Sequence, residues 1–422
     1  MTSYDIIIVG AGISGLYAAR EILKRHPSWH VAVAEKYKSL GGRMTTFHKG
    51  KWQWEAGAGR IHRSHTKTLG LLKEYGLTLI PLGTELSYKP VDGTLQKDEF
   101  ESCHVPLFLE PLSQLSPDIL ANHTIEDLLT KVHGDAKTKE IVDPFPYRAE
   151  LNTLRADLGL HSFLKGEMKG HEGFFVVKEG LSELIDRMRA ELLDRGCKFL
   201  LHHTLVDISK PTNASEGAID CIFLVNKKEK ILHAKRSCFL TLCRCHVAEL
   251  PFLQKVPILS HVIGRPLLRV YMVFPKTKGK VWFHDLGNVV TPMRPRYIIP
   301  INAEKGIIMI SYTDAEDTHA YRSIYEKGGD NALEKVILSE IQKVFPERSI
   351  PNPVFTKAHM WGTGASYWVP GNYDPEKMSI EAMTPLPKFP HLHMCGESWS
   401  MRQAWIEGAL EHTAECLDRM IR

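Results

Sequence analysis

Residues 5–36 read DIIIVGAGISGLYAAREILKRHPSWHVAVAEK, and no other stretch narrows the fold so far. Ile6–Val9 is an apolar run suited to a strand buried on both faces. Three glycines follow in G-x-G-x-x-G spacing. Gly10 allows the tight turn, Gly12 lets the backbone approach a pyrophosphate, and Gly15 lets the next helix pack close to the strand. The helix expected from Ile13 to Arg25 points its unpaired N–H groups and the positive end of its dipole at the phosphates. Val31–Ala34 reads as a second strand, and Glu35 stands 20 residues after Gly15. A carboxylate there accepts both ribose hydroxyls and repels a 2′-phosphate, so the unit predicts FAD or NAD and excludes NADP.

The rest of the chain sets the scale around this unit. Its 422 residues exceed one ordinary core and predict two or three lobes. A formal charge of +4 is small for this size and gives no case for a nucleic-acid partner. Eight cysteines show no disulfide framework, which predicts a reducing, cytoplasmic compartment. The chain opens directly into a core strand and closes on ECLDRMIR, so neither a signal peptide nor a membrane span is expected. The sequons at Asn122 and Asn213 read as chance matches.

Along the chain, GGRMTTF (41–47) and WEAGAGRIH (54–62) read as loops whose glycines bring backbone against something flat or charged. TIEDLLTKV (124–132) is a helix that Thr124 caps, and residues 179–196 form an amphipathic helix ended by Gly196. Residues 197–210 and 218–242 read as strands joined by a polar turn. PLLRVYMVFP (266–275) and GIIMISYT (306–313) are further strands, and residues 330–345 and 405–421 are helices. KTKGK (276–280) reads as a solvated hairpin turn. In LCRCHVAE (242–249), Cys243, Cys245 and His246 fall in alternating strand spacing with no second ligand pair, so they read as buried small residues and no metal is expected. His202 and His203, being adjacent beside a strand, are expected to face opposite ways.

GxGxxG, the acid, GGR and the C-terminal CGESWSMRQAWIEGAL together resemble the FAD-dependent amine oxidoreductases, the family of the monoamine, polyamine and L-amino-acid oxidases. FFVVKEGLSELIDRM followed by LVDI extends the resemblance through the middle of the chain. The resemblance implies that Gly10, Gly12, Ser14 and Gly15 hold the pyrophosphate and Glu35 the adenosine ribose. It puts Gly42 and Arg43 at the phosphates or ribityl chain, and Gly57, Ala58, Gly59 and Arg60 beside the isoalloxazine ring. Val206 would pair its backbone with adenine. Gly396 and Glu397 would lie near the ribityl and phosphate groups, with Trp405 and Ile406 at the pyrimidine edge of the flavin. A helix starting near Trp405 would aim positive potential at the charge of a reduced flavin.

The implied activity is oxidative deamination. Hydride passes from the carbon bearing a neutral amine to the flavin, and dioxygen reoxidises it to give hydrogen peroxide. Three positions depart from the family pattern. The lysine that many relatives carry near the flavin falls on Arg269, unless the register slips by one and Arg269 points outward. One cage tyrosine is replaced by Gly364 and the other by Trp405, the expected aromatic wall. The tethering cysteine falls on Thr363, so FAD is expected to be non-covalent. Arg60 has two readings: it grips a substrate carboxylate, as in L-amino-acid oxidases, or it binds a flavin phosphate or a surface acid. Arg269, Trp405 and Arg60 are thus the candidate catalytic residues, and the substrate leans towards an amino acid or carboxylated amine.

The expected architecture is α/β, with a Rossmann-like FAD lobe interleaved with an α+β substrate lobe. The FAD lobe takes residues 1–80, 180–250 and 380–422, and the substrate lobe takes 81–179 and 251–379. A homodimer is left open. The rival readings are a monoamine or polyamine oxidase of bare amines, a FAD desaturase or isomerase of an apolar substrate, and a flavin-binding protein without turnover.

Overall fold

The computed structural model describes residues 2–83, 85–169, 173–211 and 218–421, so Asn213 lies outside the described residues. The opening unit forms as read: β1 (Thr2–Val9), α1 (Ile13–Arg25) and β2 (Val31–Ala34). The two strands pair in parallel, Ile6 opposite Val31 and Val9 opposite Ala34. Because successive side chains of a strand point to opposite faces, β1 feeds two cores. Ile6 and Ile8 pack with Leu16, Ile22, Met188 and Leu410, while Ile7 and Val9 pack with Leu240, Leu392 and Trp399.

Lys198–Leu200 extends the sheet beyond β2, and Lys228–Leu240 lies along the other edge of β1, both in parallel. Ile219–Val225 and Thr204–Ser209 continue it antiparallel, and Leu392–Met394 joins Cys238–Leu240 in parallel. The polar turn expected between 210 and 218 falls largely on residues 212–217, outside the described residues. The stretch 218–242, read as one strand, is instead a hairpin that turns at Asn226-Lys227, with φ of 49° and 64°, the two-residue geometry whose twist suits its strands. Helices Ile13–Arg25, Leu181–Asp194 and Ile406–Met420 cover one face.

A second sheet runs in the order Phe355–Trp368, Val262–Val273, Ile307–Asp314, Tyr297–Asn302, Asn288–Val290, Leu86–Tyr88, Gln96–Lys97. All its pairings are antiparallel except Asn288–Val290 with Leu86–Tyr88. The chain is therefore α/β, a Rossmann-like sheet joined to a mainly antiparallel one. The capping box at Thr124 is complete: its hydroxyl accepts from Asp127 N, and the Asp127 carboxylate accepts from Thr124 N. No helix of the described residues is long and apolar enough to cross a membrane.

Three expectations need correction. Residues 242–249 are not a strand: Arg244–Glu249 is a short helix, with Arg244 donating to Val262 O at 3.0 Å and Leu259 O at 2.9 Å. The end of GGRMTTF is not loop, because Thr46–Lys49 pairs with Trp52–Glu55 and stacks Phe47 on Trp54, centroids 4.7 Å apart. The helix expected from 330 continues back to Thr318 across a break at Gly329.

Candidate active site

One cavity of about 1160 Å³ runs from the G-x-G-x-x-G turn to the second sheet. That exceeds the ~300–1000 Å³ of ordinary single-ligand pockets and leaves room for a dinucleotide and a small substrate. Its wall carries Gly10, Gly12, Ser14, Glu35, Gly42, Arg43, Gly57, Ala58, Gly59, Arg60, Val206, Arg269, Gly396, Glu397, Trp405 and Ile406. Gly15 does not line it. A Cβ on Gly15 would stand 1.9 Å from Gly10 O, so this glycine serves the close packing of α1 on β1.

At the first end, the N-terminus of α1 has no side-chain cap, and a Cβ on Gly12 would meet no protein atom within 4 Å. Backbone N–H groups and open space thus coincide, as an anion cradle requires. Gly10 holds φ 104°, a conformation that favours glycine. Glu35 accepts from Ala11 N at 2.8 Å and Tyr37 N at 2.9 Å, which fixes its carboxylate where β2 ends. Val206 is the residue skipped where the ladder shifts between Leu205 and Asp207, so its backbone is left out of the pairing at the cavity wall. His203 lines the cavity beside Val206, while His202 is exposed with φ 57°.

In the middle, Arg43 and Glu397 form an internal ion pair at 2.7 Å. Arg43 also donates to Gly364 O at 3.0 Å, and Glu397 accepts from Ser366 N and Ala404 N, each at 2.9 Å. Gly364 sits against the second sheet, where a Cβ would lie 2.3 Å from Leu267 Cβ, so a tyrosine has no room there in this backbone. Thr363 also lines the cavity.

At the far end, Arg269 alternates with the fully buried Leu268 and Val270, which puts its side chain on the cavity face. Its Nη1 donates to Glu55 O at 3.3 Å and would lie 3.3 Å from a Cβ on Gly59. Its buried Nε has no partner among the described residues. The cross-strand register sets Arg269 between Tyr312 and His359, with the guanidinium 5.6 Å from the Tyr312 ring centroid. Burial, then Lys357 and Arg269, hold His359 down to about 4, so it is a neutral acceptor for Trp54 Nε1 at 3.0 Å.

Arg60 makes no hydrogen bond or ion pair with the described residues. Its guanidinium faces the rings of Phe174, Tyr147 and Trp405 at 4.8, 4.9 and 5.9 Å. Trp405 sits at the N-terminus of the closing helix, edge-on to the buried His65 at 5.0 Å.

Sequence reasoning missed several groups on this wall. Tyr147, Tyr312, Tyr367, Glu150 and Asp314 line the same end of the cavity. Tyr367 donates to Glu150 at 3.2 Å, and Arg148 N donates to Asp314 at 3.0 Å. Burial, reinforced by Glu150, pushes Asp314 up to about 8, and burial also raises Glu150. Tyr312 had a signal, since it lies in a strand already recognised, and Tyr367 lies three residues beyond Gly364 in a stretch already aligned; Tyr147, Glu150 and Asp314 lie in no motif. Glu407 was also missed. Its carboxylate accepts from Lys67 N and Thr68 N at 2.8 Å and so caps the helix Thr66–Glu74. Cys243, Cys245 and His246 come together too, their ligand atoms within 4.8 Å of one another.

The wall therefore fits a flavin dinucleotide. The uncapped helix N-terminus, the fixed Glu35 carboxylate, the bulge at Val206 and the orphaned Arg269 N–H lie along one channel. A family model for flavin-containing amine oxidoreductases matches residues 13–416. The L-amino-acid oxidase of Siganus canaliculatus is 21% identical over 464 aligned residues, covering 97% of this chain and 84% of that one. The L-amino acid dehydrogenase of a Synechocystis species is 36% identical over 93 residues, 22% of this chain and 18% of its own. Wild-type putrescine oxidase bound to putrescine has a solved structure that superimposes with a TM-score of 0.75 at 16% identity, covering 100% of this chain and 99% of that one.

Proposed function

For a chain that belongs to the flavin-containing amine oxidoreductases, we propose oxidative deamination of an amino acid or other carboxylated amine, with non-covalent FAD as cofactor and dioxygen as acceptor. The carrying observation is Arg60, a guanidinium that makes no hydrogen bond or ion pair among the described residues and is set in aromatic walls on the cavity. A bound flavin would supply the two-electron chemistry, with hydride lost from the carbon bearing a neutral amine, water hydrolysing the imine so formed to release ammonia, and dioxygen ending as hydrogen peroxide.

The chain's own residues do the rest. Arg60 binds the substrate carboxylate through a bidentate fork and so fixes the amine-bearing carbon. Trp405, Tyr147 and Tyr312 exclude water, which favours the neutral amine over the ammonium. Glu150 is the acid that acts on Arg60 across the cavity, and burial raises its carboxyl, which weakens its hold on the guanidinium. Arg43, held by Glu397, and the cradle at Gly12 hold the pyrophosphate and ribityl chain, with Glu35 on the ribose and Val206 on adenine. The reading also keeps the two interleaved lobes, with the FAD lobe at 1–80, 180–250 and 380–422. All eight cysteines are free, which suits a cytoplasmic setting. The amino-acid relatives favour the same substrate class.

A second reading, a bare amine, is favoured by the three rings that already face Arg60 without any carboxylate. Titration with benzoate separates the two. A carboxylate without an amine should perturb the flavin absorbance of the wild type, and Arg60→Met should weaken that binding by roughly 10- to 100-fold, the worth of ~1.5–3 kcal/mol for a charge-assisted contact. Equal binding by both proteins would remove Arg60 from the substrate site.

A further inference from the structure

Cys243 and Cys245 flank Arg244 where the strand Lys228–Leu240 gives way to the short helix Arg244–Glu249. Their sulfurs lie 2.6 Å apart, and Cys243 Sγ lies 3.3 Å from His246 Nδ1. Both cysteines are partly exposed, and both line the large cavity. We propose that Cys243 and Cys245 are a redox-active dithiol on the cavity wall that closes to a disulfide by exchange with a small disulfide of the glutathione class.

The exchange balances in two displacements. The Cys243 thiolate attacks one sulfur of the reagent, the reagent's S–S bond breaks, and the first thiolate leaves and takes a proton from solvent. Cys245 then loses its proton and attacks the Cys243 sulfur of the mixed disulfide, expelling the second thiolate. The second thiolate takes the proton that Cys245 lost, so the two protein thiols lose two protons and two electrons in all and the reagent is reduced to two thiols. The chain separates the two roles. The Cys245 thiol donating to it, with Arg43 nearby, holds Cys243 down to about 6 against burial, so it is the attacking thiolate. The same hydrogen bond, together with burial, pushes Cys245 up and keeps it protonated until its turn.

A second sulfur pair in this chain shows what the proposal requires. Cys221 and Cys238 lie 3.6 Å apart but are both fully buried, and the hydrogen bond between them and burial push the Cys221 thiol up. No reagent reaches that pair. A thiophilic metal held by Cys243, Cys245 and His246 is the competing use. Two thiolates on one tetrahedral zinc at ~2.3 Å sit about 3.8 Å apart, against 2.6 Å here. Zinc content of the purified protein separates the two uses.

The test poises the purified flavoprotein in a series of oxidised-to-reduced glutathione ratios, blocks free thiols, and digests with trypsin without reductant. Cleavage after Arg236, Arg244 and Lys255 puts Cys243 and Cys245 on separate peptides, 237–244 and 245–255. The expected result is a species holding both peptides, two hydrogens lighter than their sum with Cys238 alone blocked, that grows with oxidant and disappears with dithiothreitol. Fragmentation should place the bond at Cys243, with Cys221 and Cys238 still reduced. Cys245→Ser should instead trap glutathione on Cys243, and Cys243→Ser should take up glutathione at least tenfold more slowly. The wild-type result stands alone if either variant fails to fold. The proposal fails if no linked species forms at any ratio, if Cys221–Cys238 oxidises as readily, or if the purified protein carries one zinc per chain with both cysteines protected.

Discussion

Replacing Glu397 by glutamine removes one negative charge from the middle of the cavity wall and leaves Arg43 facing an amide N–H₂. Glu397 is 7% exposed and Arg43 28% at the side chain, and their 2.7 Å contact is joined by bonds from Ser366 N and Ala404 N. Losing one partner of a buried pair costs ~3–5 kcal/mol, and the partial exposure of Arg43 sets the expectation near the lower end. At ~2.1 cal/mol/K per residue, the unfolding entropy of a chain this long is about 0.9 kcal/mol/K, so ~3 kcal/mol lowers Tm by ~3 °C. Arg43→Met should cost a similar amount, because Glu397 then stays charged without its cation. The double variant Arg43→Met/Glu397→Gln removes both charges and should recover about 2 kcal/mol relative to the sum of the singles. Calorimetry of the four proteins gives the coupling. Bound flavin, read from absorbance, should be weakened in all three variants, including the more stable double. Additive losses would refute the ion pair as the stabilising feature, and full flavin retention by the double variant would refute any role for the pair at the cofactor.

Further outcomes follow from the same wall. Glu35→Ala should weaken FAD retention by ~1.5–3 kcal/mol, the worth of bonds to a charged acceptor, in a flavin-release titration. Acid or heat should release FAD into the supernatant, because Thr363 stands at the tether position; colour left in the precipitate would contradict this. Arg269→Lys should change the rate of flavin reduction or reoxidation in stopped flow while FAD stays bound. Asp314 is raised to about 8, so the folded state binds a proton that the unfolded carboxyl, at ~3.9, has released. Its contribution to stability is therefore full below about 4 and lost as pH rises towards about 8, and Asp314→Asn should flatten this slope in denaturant titrations across that window.

The opening unit was legible because its signals are local. Strand, glycine spacing, helix and acid fall within 36 residues, and α1 and β2 take the bounds their apolar patterns imply. The residue Arg269 was legible with one ambiguity, the register, which burial of Leu268 and Val270 on the opposite face resolves. Residues 242–249 misled because C-R-C has the period of a strand, whereas long-range bonds from Arg244 to Leu259 O and Val262 O fit a helix there. Gly15 was given two roles from one motif, and only its contact with Gly10 separates them. Tyr147, Glu150, Asp314 and Tyr367 meet across more than two hundred residues of chain, so no spacing in the sequence announces them.

The central claim is that this flavoenzyme's cavity grips a carboxylate through Arg60 while the amine is oxidised. Anaerobic flavin bleaching with phenylalanine and phenethylamine, in wild type and Arg60→Met, tests it most directly. The wild type should be reduced faster by phenylalanine, and the preference should collapse or invert in the variant, with losses of ~3 kcal/mol where the carboxylate is left unpaired in a dry pocket. A wild type that prefers phenethylamine, with a variant that behaves alike, would contradict it.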